Sequence, residues 1–215
     1  MPSGSIHICI ANKVYNEIKT DYEPYIIGAI APDCWRHSKL HNDKMLSHFS
    51  YPCKVNNINI RLEDYKTFIF KYKNYLKDPF VIGYLVHLMT DNYWKTKVIS
   101  RYNFIIDNKI CVKKLDGKYF KGTIEEVEKF IHKNNKILTV YLTNKYQLKR
   151  LIPYQINSII EEIDLSGINT TINHINETLL YNLEEESLIY DMNLIDKDIE
   201  NITNIIVKEI KPYLN

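Results

Sequence analysis

Apolar residues recur at helical spacing along most of the chain, whereas the alternating apolar and polar positions typical of strands are sparse. This pattern predicts an all-α fold, a single-domain helical bundle. Pro32 disfavours helical geometry at Ala31 and ends one helix, and Pro79 suits the first turn of another. The predicted helices cover residues 8–18, 25–31, 62–76, 80–101, 123–146, 154–163, 172–180 and 195–210.

Two segments depart from the helical pattern. Residues 34–59 are polar and read as a long irregular connection, a kind of loop that is often functional. Residues 103–122 contain ICVKKLDGKYF around the Asp116-Gly117 turn, which also fits a small β-hairpin. Thr123 and Glu126 then have the spacing of a capping box, which predicts the start of a helix.

Composition narrows the class of protein without identifying it. With 45% hydrophobic and 25% charged residues the chain is typical of a globular protein, and a net charge of +2 gives no strong nucleic-acid signal. The first residues lack the pattern of a secretory signal, and no apolar run reaches the ~20 residues of a transmembrane segment. We therefore expect a cytoplasmic protein. Its scattered cysteines are expected to be reduced thiols: Cys9, Cys34, Cys53 and Cys111.

A histidine and an aspartate interrupt the apolar stretch GYLVHLMTDNYW, residues 83–94. His87 and Asp91 are four residues apart, so on a helix they lie on one face with Cβ atoms ~5 to 6 Å apart. Imidazole nitrogens and carboxylate oxygens are good ligands for zinc and similar divalent ions. The alternative is a pair that hydrogen-bonds within the helix or faces solvent.

Three further residues of the same chemistry lie upstream: His7, Asp33 and His48. His7 precedes the first predicted helix, Asp33 follows the second on a loop, and His48 ends the polar connection. Each has an ordinary alternative. His7 would be an exposed residue near the N-terminus, Asp33 would form an Asx turn, and His48 would be satisfied by backbone groups.

The order and spacing of GAIAPD, SHF and GYLVHLMTDNYW resemble the bacterial zinc-dependent phospholipase C family, whose superfamily also contains single-strand-specific nucleases. The resemblance covers roughly residues 5–94. It implies an all-α domain over 1–215, with a metal-site core at about 5–101 and a helical C-terminal part at about 123–215. It also implies that Asp33, His48, His87 and Asp91 surround one zinc ion, with Asp91 bridging to a second that His7 also binds.

The chain departs from that family in two respects. Secreted members ligate metal through a mature N-terminal residue, and here the chain begins Met1-Pro2. Larger members bind a third ion with two more histidines and a glutamate, for which the nearest candidates here are His174 and Glu177, only three positions apart. The alternative for this second pair is an exposed amphipathic helix.

The resemblance implies a metal-dependent phosphoric ester hydrolase that acts on a small molecule or lipid through metal-activated water. Asp33 would orient or deprotonate that water as the catalytic residue. The alternative is a metal-binding or scaffolding protein without hydrolysis, and the oligomeric state stays open. No G-x-S-x-G elbow, P-loop or G-x-G-x-x-G competes.

Several other histidine and aromatic residues could belong to a functional site, but we expect them to be surface or core residues. His37 and His41 are also four apart but lie in the polar connection, where we expect an exposed loop, and His132 is expected on a solvated helix face. A group of aromatic residues is expected to fill the core rather than line a pocket: Trp35, Phe49, Tyr84 and Trp94.

Overall fold

The computed structural model describes residues 3–40, 43–55, 58–106 and 109–214, with the backbone alone at 104–106. The fold is mostly helical, as predicted, whereas the single-domain organisation stays a prediction. The α-helices are α1 Gly4–Ile18, α2 Tyr22–Gly28, α3 Lys44–Ser47, α4 Tyr65–Tyr72, α5 Pro79–Tyr93, α6 Ile124–Tyr146, α7 Ile168–Thr178 and α8 Met192–Leu214. Shorter 3-10 helices cover Ala31–His37, Lys73–Tyr75, Ile99–Arg101 and Leu165–Gly167, and a π-helix, Trp94–Val98, continues α5.

Two small antiparallel sheets accompany the helices. Strands β1 Ser50–Val55 and β2 Ile58–Glu63 form a hairpin with Cys53 opposite Ile60. Strands β3 Asn103–Ile106, β4 Lys109–Lys113 and β5 Tyr119–Lys121 form the second sheet, in the order β3-β4-β5. The hairpin expected within residues 103–122 is therefore confirmed and enlarged by a third strand.

The irregular connection predicted for residues 34–59 is wrong over most of its length. A 3-10 helix holds Asp33, the short helix α3 precedes His48, and β1 begins at Ser50. These elements are too short for a period to be recognised in sequence, and their stability comes from contacts with other parts of the chain. Asn92 of α5, for example, donates a 2.9 Å hydrogen bond to the carbonyl of Glu63 at the end of β2.

Two of the predicted helices also differ from expectation, one in where it begins and one in being absent. The first helix begins at Gly4, so His7 lies within α1 rather than before it. The helix predicted for 154–163 is absent, because residues 151–164 contain neither helix nor strand. This segment contains Pro153 and is held by side chains instead: Asn176 bonds both backbone groups of Leu151, and the hydroxyl of Tyr72 accepts from the backbone of Glu161.

Helix α5 is the centre of the fold, since every residue from Phe80 to Asp91 is buried. Asp78 caps its N-terminus by accepting from the backbone of Phe80 and Val81. Helices α1, α2, α4 and α8 all contact it. A helix that is apolar all round is typical of a core helix, and here its few polar side chains must find partners inside the protein.

Glycines bring α2 and α5 into backbone contact. A Cβ atom added to Gly83 would lie 2.0 Å from the carbonyl oxygen of Tyr25, and one added to Gly28 would lie 2.1 Å from the carbonyl oxygen of Phe80. No side chain fits at either position unless the helices separate. The two glycines therefore set the distance between α2 and α5.

The cysteines are free thiols, as expected, and no helix within the described ranges is long and apolar enough to cross a membrane. Tyr84 and Trp94 are core residues as predicted, whereas Phe49 is partly buried against the core and Trp35 is only half-buried.

Replacing Gly83 by alanine should lower the free energy of unfolding by about 3 kcal/mol, because the added methyl group meets backbone that cannot rotate away. Urea denaturation followed by circular dichroism measures the change. Lys66→Ala, at an exposed position of α4, is the control and should change stability by no more than about 0.5 kcal/mol. Equal stability of the two variants would contradict the close-contact interpretation.

Candidate metal centre

The structure brings together all five residues singled out from sequence. His7 comes from α1, Asp33 from the 3-10 helix, His48 from the residue after α3, and His87 and Asp91 from α5. Their donor atoms form two overlapping groups, His7 with Asp33 and His87, and His48 with His87 and Asp91. Within each group the donor atoms lie within 4.8 Å of one another. Four separate elements thus converge on one point.

The distances within the cluster are short. Nε2 of His7 lies 3.2 Å from Oδ1 of Asp91, and Nε2 of His48 lies 3.5 Å from Oδ1 of Asp33 and 4.0 Å from Oδ2 of Asp91. The ring of His7 stacks on that of His87 with centroids 3.8 Å apart. Donor atoms this close together are near enough to share a bound ion.

The donor atoms are buried and have no hydrogen-bond partner. Unpartnered atoms are Nδ1 and Nε2 of His7, Oδ1 of Asp33, Nε2 of His48, Nε2 of His87 and both carboxylate oxygens of Asp91. Buried polar groups are rarely left unpaired, because each loses its bonds to water without replacement. A cation bound among these donors would give most of them a partner, although the two nitrogens of His7 point in diverging directions and only one of them can reach it.

Hydrogen bonds on the far side of two imidazoles orient them towards the centre. Nδ1 of His87 lies 2.9 Å from the carbonyl oxygen of Ala29, and since a carbonyl only accepts, Nδ1 carries the proton. The lone pair of His87 is then on Nε2, which faces the cluster. Nδ1 of His48 lies 2.9 Å from Oγ of Ser47, whose carbonyl accepts from the hydroxyl of Tyr84. Such outer partners are characteristic of histidine ligands.

The electrostatic environment favours the protonation states that bind metal. Burial and the adjacent His7 lower the pKa of His87 to about 3, so its ring is neutral at neutral pH. Burial alone would raise the pKa of Asp33, but the imidazole of His48, 3.5 Å away, lowers it. For Asp91, burial is likewise outweighed by His7 and Lys95, which keep its pKa well below the usual value. Both carboxylates are therefore ionised.

Asp33 is the one member of the cluster that solvent reaches. Its side chain is 21% exposed, whereas those of His7, His48 and Asp91 are at most 2% exposed. The cluster is therefore enclosed by the protein except at Asp33.

A buried ion pair beside the cluster was not foreseen from sequence. Nζ of Lys95 lies 3.3 Å from Oδ2 of Asp91 and donates to Oε1 of Glu63, whose side chain is fully buried. Burial, and then the charge of Asp91, raise the pKa of Glu63 to about 8. The spacing of Lys95, four residues after Asp91, was a usable signal. Glu63 had none, since it reaches the site only through the pairing of β1 and β2.

The other residues considered from sequence lie apart from the cluster. His132 is exposed as expected, and so is His37, whereas His41 lies outside the described residues. His174 and Glu177 are both exposed on α7 and belong to no group of potential ligands among the residues described. Nothing in the described part of the chain therefore supports a third-ion site there.

Comparison of the chain with protein-family models, with curated proteins and with solved structures gave no match. The resemblance to zinc-dependent phospholipases C consequently stays a prediction that depends on the motifs alone.

Removing the ammonium group of Lys95 should destabilise the protein, because the ionised Asp91 would remain buried without this counter-charge and Glu63 would lose its hydrogen-bond donor. For Lys95→Met we expect the free energy of unfolding, measured in urea with a chelator present, to fall by about 3 kcal/mol. Lys97→Met provides the control, since Lys97 lies two residues after Lys95 and its side chain is exposed. A loss as small as that of the control, about 0.5 kcal/mol or less, would show that the ion pair is not needed.

Proposed function

We propose that the protein is a metal-dependent hydrolase of phosphoric esters, with zinc as the preferred ion. The observation that carries the proposal is the convergence of five buried donors whose facing atoms lack partners. Three imidazoles and two carboxylates are a typical donor set for zinc, and the neutral ring of His87 and the ionised carboxylates of Asp33 and Asp91 suit it.

The arrangement accommodates one ion or two. Asp33, His48, His87 and Asp91 would hold the first. The two oxygens of Asp91 face different histidines, Oδ1 towards His7 and Oδ2 towards His48, so this carboxylate can bridge to a second ion. His7 would then be the histidine ligand of that second ion.

When bound, a divalent ion supplies a Lewis acid, which lowers the pKa of water towards ~7 and offsets the negative charge of phosphoryl oxygens. Asp33 is the partly exposed member of the cluster and is ionised, so it can orient a water molecule and accept its proton. Lys95 adds a positive charge beside Asp91, where a phosphoryl oxygen would be attracted.

A second candidate function is metal binding without hydrolysis, in a structural or scaffolding protein. The observation in its favour is the closed environment of the donors, because structural zinc sites are enclosed whereas catalytic sites keep an open position. The partial exposure of Asp33 favours the hydrolase instead. The two candidates share the metal and differ in turnover.

The purified protein should retain at least about one zinc ion per chain by elemental analysis. The metal should also raise the midpoint of thermal unfolding, because binding to the folded state alone adds ~2.7 kcal/mol at a hundredfold excess over the dissociation constant. His87→Ala should lose both effects, whereas His132→Ala, at an exposed histidine, should keep them. Less than one ion per chain after reconstitution would exclude both candidate functions.

Asp33→Asn should lower kcat on chromogenic phosphomonoesters and phosphodiesters by at least ~10²-fold, because the amide cannot accept a proton from water. Metal content is measured on the same samples, which separates lost chemistry from lost metal. Asp116→Asn, in the exposed turn between β4 and β5, is the matched control and should retain full activity. Bound zinc without turnover by the unmodified protein on either ester class would favour the structural role.

A further inference from the structure

A cavity of about 360 Å³ lies beside the metal centre, between the β1-β2 hairpin, α3 and the chain that follows α5. Its volume falls within the range of small-molecule sites, roughly 300 to 1,000 Å³. The residues that line it include three basic side chains and four aliphatic ones: Lys44, Arg61 and Lys95, and Val55, Ile58, Ile60 and Ile99.

Two lysines connect this cavity to the proposed ligands. Lys95 lines the cavity and contacts Oδ2 of Asp91 at 3.3 Å, one helical turn away in sequence. Lys44 lines the cavity from α3, and its carbonyl oxygen accepts a 3.1 Å hydrogen bond from the backbone of His48. The same two short segments therefore hold a metal donor and a cavity lysine each. None of the five proposed ligands lines the cavity itself, so a molecule bound there would approach the metal centre through Lys44 and Lys95.

The lining has a consistent chemistry. Its charged groups are all positive, and neither a carboxylate nor an aromatic ring lines it within the described chain. With a divalent ion bound, positive charges near the cavity outnumber the carboxylates of Asp33, Asp91 and Glu63. An anion is attracted to such a site, whereas a quaternary ammonium group would meet repulsion and no aromatic face.

We propose that this cavity is the substrate subsite of the hydrolase and that it takes an organic phosphate with an aliphatic substituent and no cationic group. The proposal rests on the proposed function. The phosphoryl group lies at the centre, beside Lys95 and Lys44. The aliphatic substituent packs among Ile58, Ile60 and Ile99, and Arg61 at the exposed rim attracts the anion. Soluble alkyl phosphates and acidic lipid headgroups share this chemistry.

Calorimetric titration of the metal-loaded full chain with hexyl phosphate, inorganic phosphate and phosphocholine tests the subsite. We expect hexyl phosphate to bind at least about tenfold more tightly than inorganic phosphate, because its alkyl chain becomes buried. We expect phosphocholine to bind more weakly than hexyl phosphate. Equal affinities for all three would overturn the proposal.

Two cavity variants refine the test. Lys44→Gln should weaken hexyl phosphate binding by about tenfold or more through loss of a charge-assisted hydrogen bond, with zinc content unchanged. Lys54→Gln is the matched control, because Lys54 is an exposed lysine of β1 that does not line the cavity. This variant should bind hexyl phosphate as tightly as the unmodified protein. Ile60→Ser should weaken hexyl phosphate but not inorganic phosphate. Binding that neither cavity variant changes would overturn the proposal.

Failure of the subsite and failure of the hydrolase give different results. Zinc-dependent turnover with unchanged kinetics in Lys44→Gln and Ile60→Ser would overturn the subsite and leave the hydrolase intact. Hexyl phosphate binding that both variants weaken, without turnover of any ester, would reject the hydrolase while supporting the cavity as a binding site. Cosedimentation with phosphatidylcholine vesicles that contain phosphatidic acid identifies the source. Binding sensitive to Lys44→Gln supports a lipid headgroup, and binding confined to hexyl phosphate supports a soluble substrate.

Discussion

The backbone contact between α2 and α5 is the constraint on which the rest of the structure depends. Gly28 and Gly83 allow the two helices to approach until the carbonyl of one meets the backbone of the other. The same approach places the carbonyl of Ala29 against Nδ1 of His87 and so determines which nitrogen of that ring faces the centre. Helix packing therefore affects the chemistry of the site, because the close approach of α2 and α5 determines that the lone pair of His87 is on Nε2.

Burial gives the cluster its character. A core helix that is apolar all round has no natural place for His87 and Asp91, and the unpaired atoms of the cluster would cost several kcal/mol if nothing satisfied them. The protein compensates Asp91 with His7 and Lys95, and it keeps His87 neutral. Most of the unpaired atoms of the cluster belong to two overlapping groups, and within each group the donor atoms lie within 4.8 Å of one another. This proximity separates a candidate site from polar residues that are merely tolerated in a core.

Lys95 joins two parts of the structure that sequence order keeps apart. On one side it pairs with Asp91 and donates a hydrogen bond to Glu63, and on the other it lines the basic, aliphatic cavity. It lies in the π-helix that continues α5, a distortion that is frequent at functional sites. Stability and substrate recognition would therefore depend on the same ammonium group.

The sequence by itself predicted the mostly helical class, a buried helix at 80–101 and the residues of the candidate site, whereas the end of α5 at Tyr93 and the π-helix after it are seen only in the structure. The helical period of apolar residues, and the unusual presence of histidine and aspartate within an apolar stretch, are local properties that can be seen in a single sequence. The β1-β2 hairpin, the loss of the 154–163 helix and the participation of Glu63 could not be predicted, since each depends on contacts between distant segments. Only the tertiary structure decided that five residues from four elements meet, because burial, lone-pair direction and the cavity arise when separate surfaces pack together.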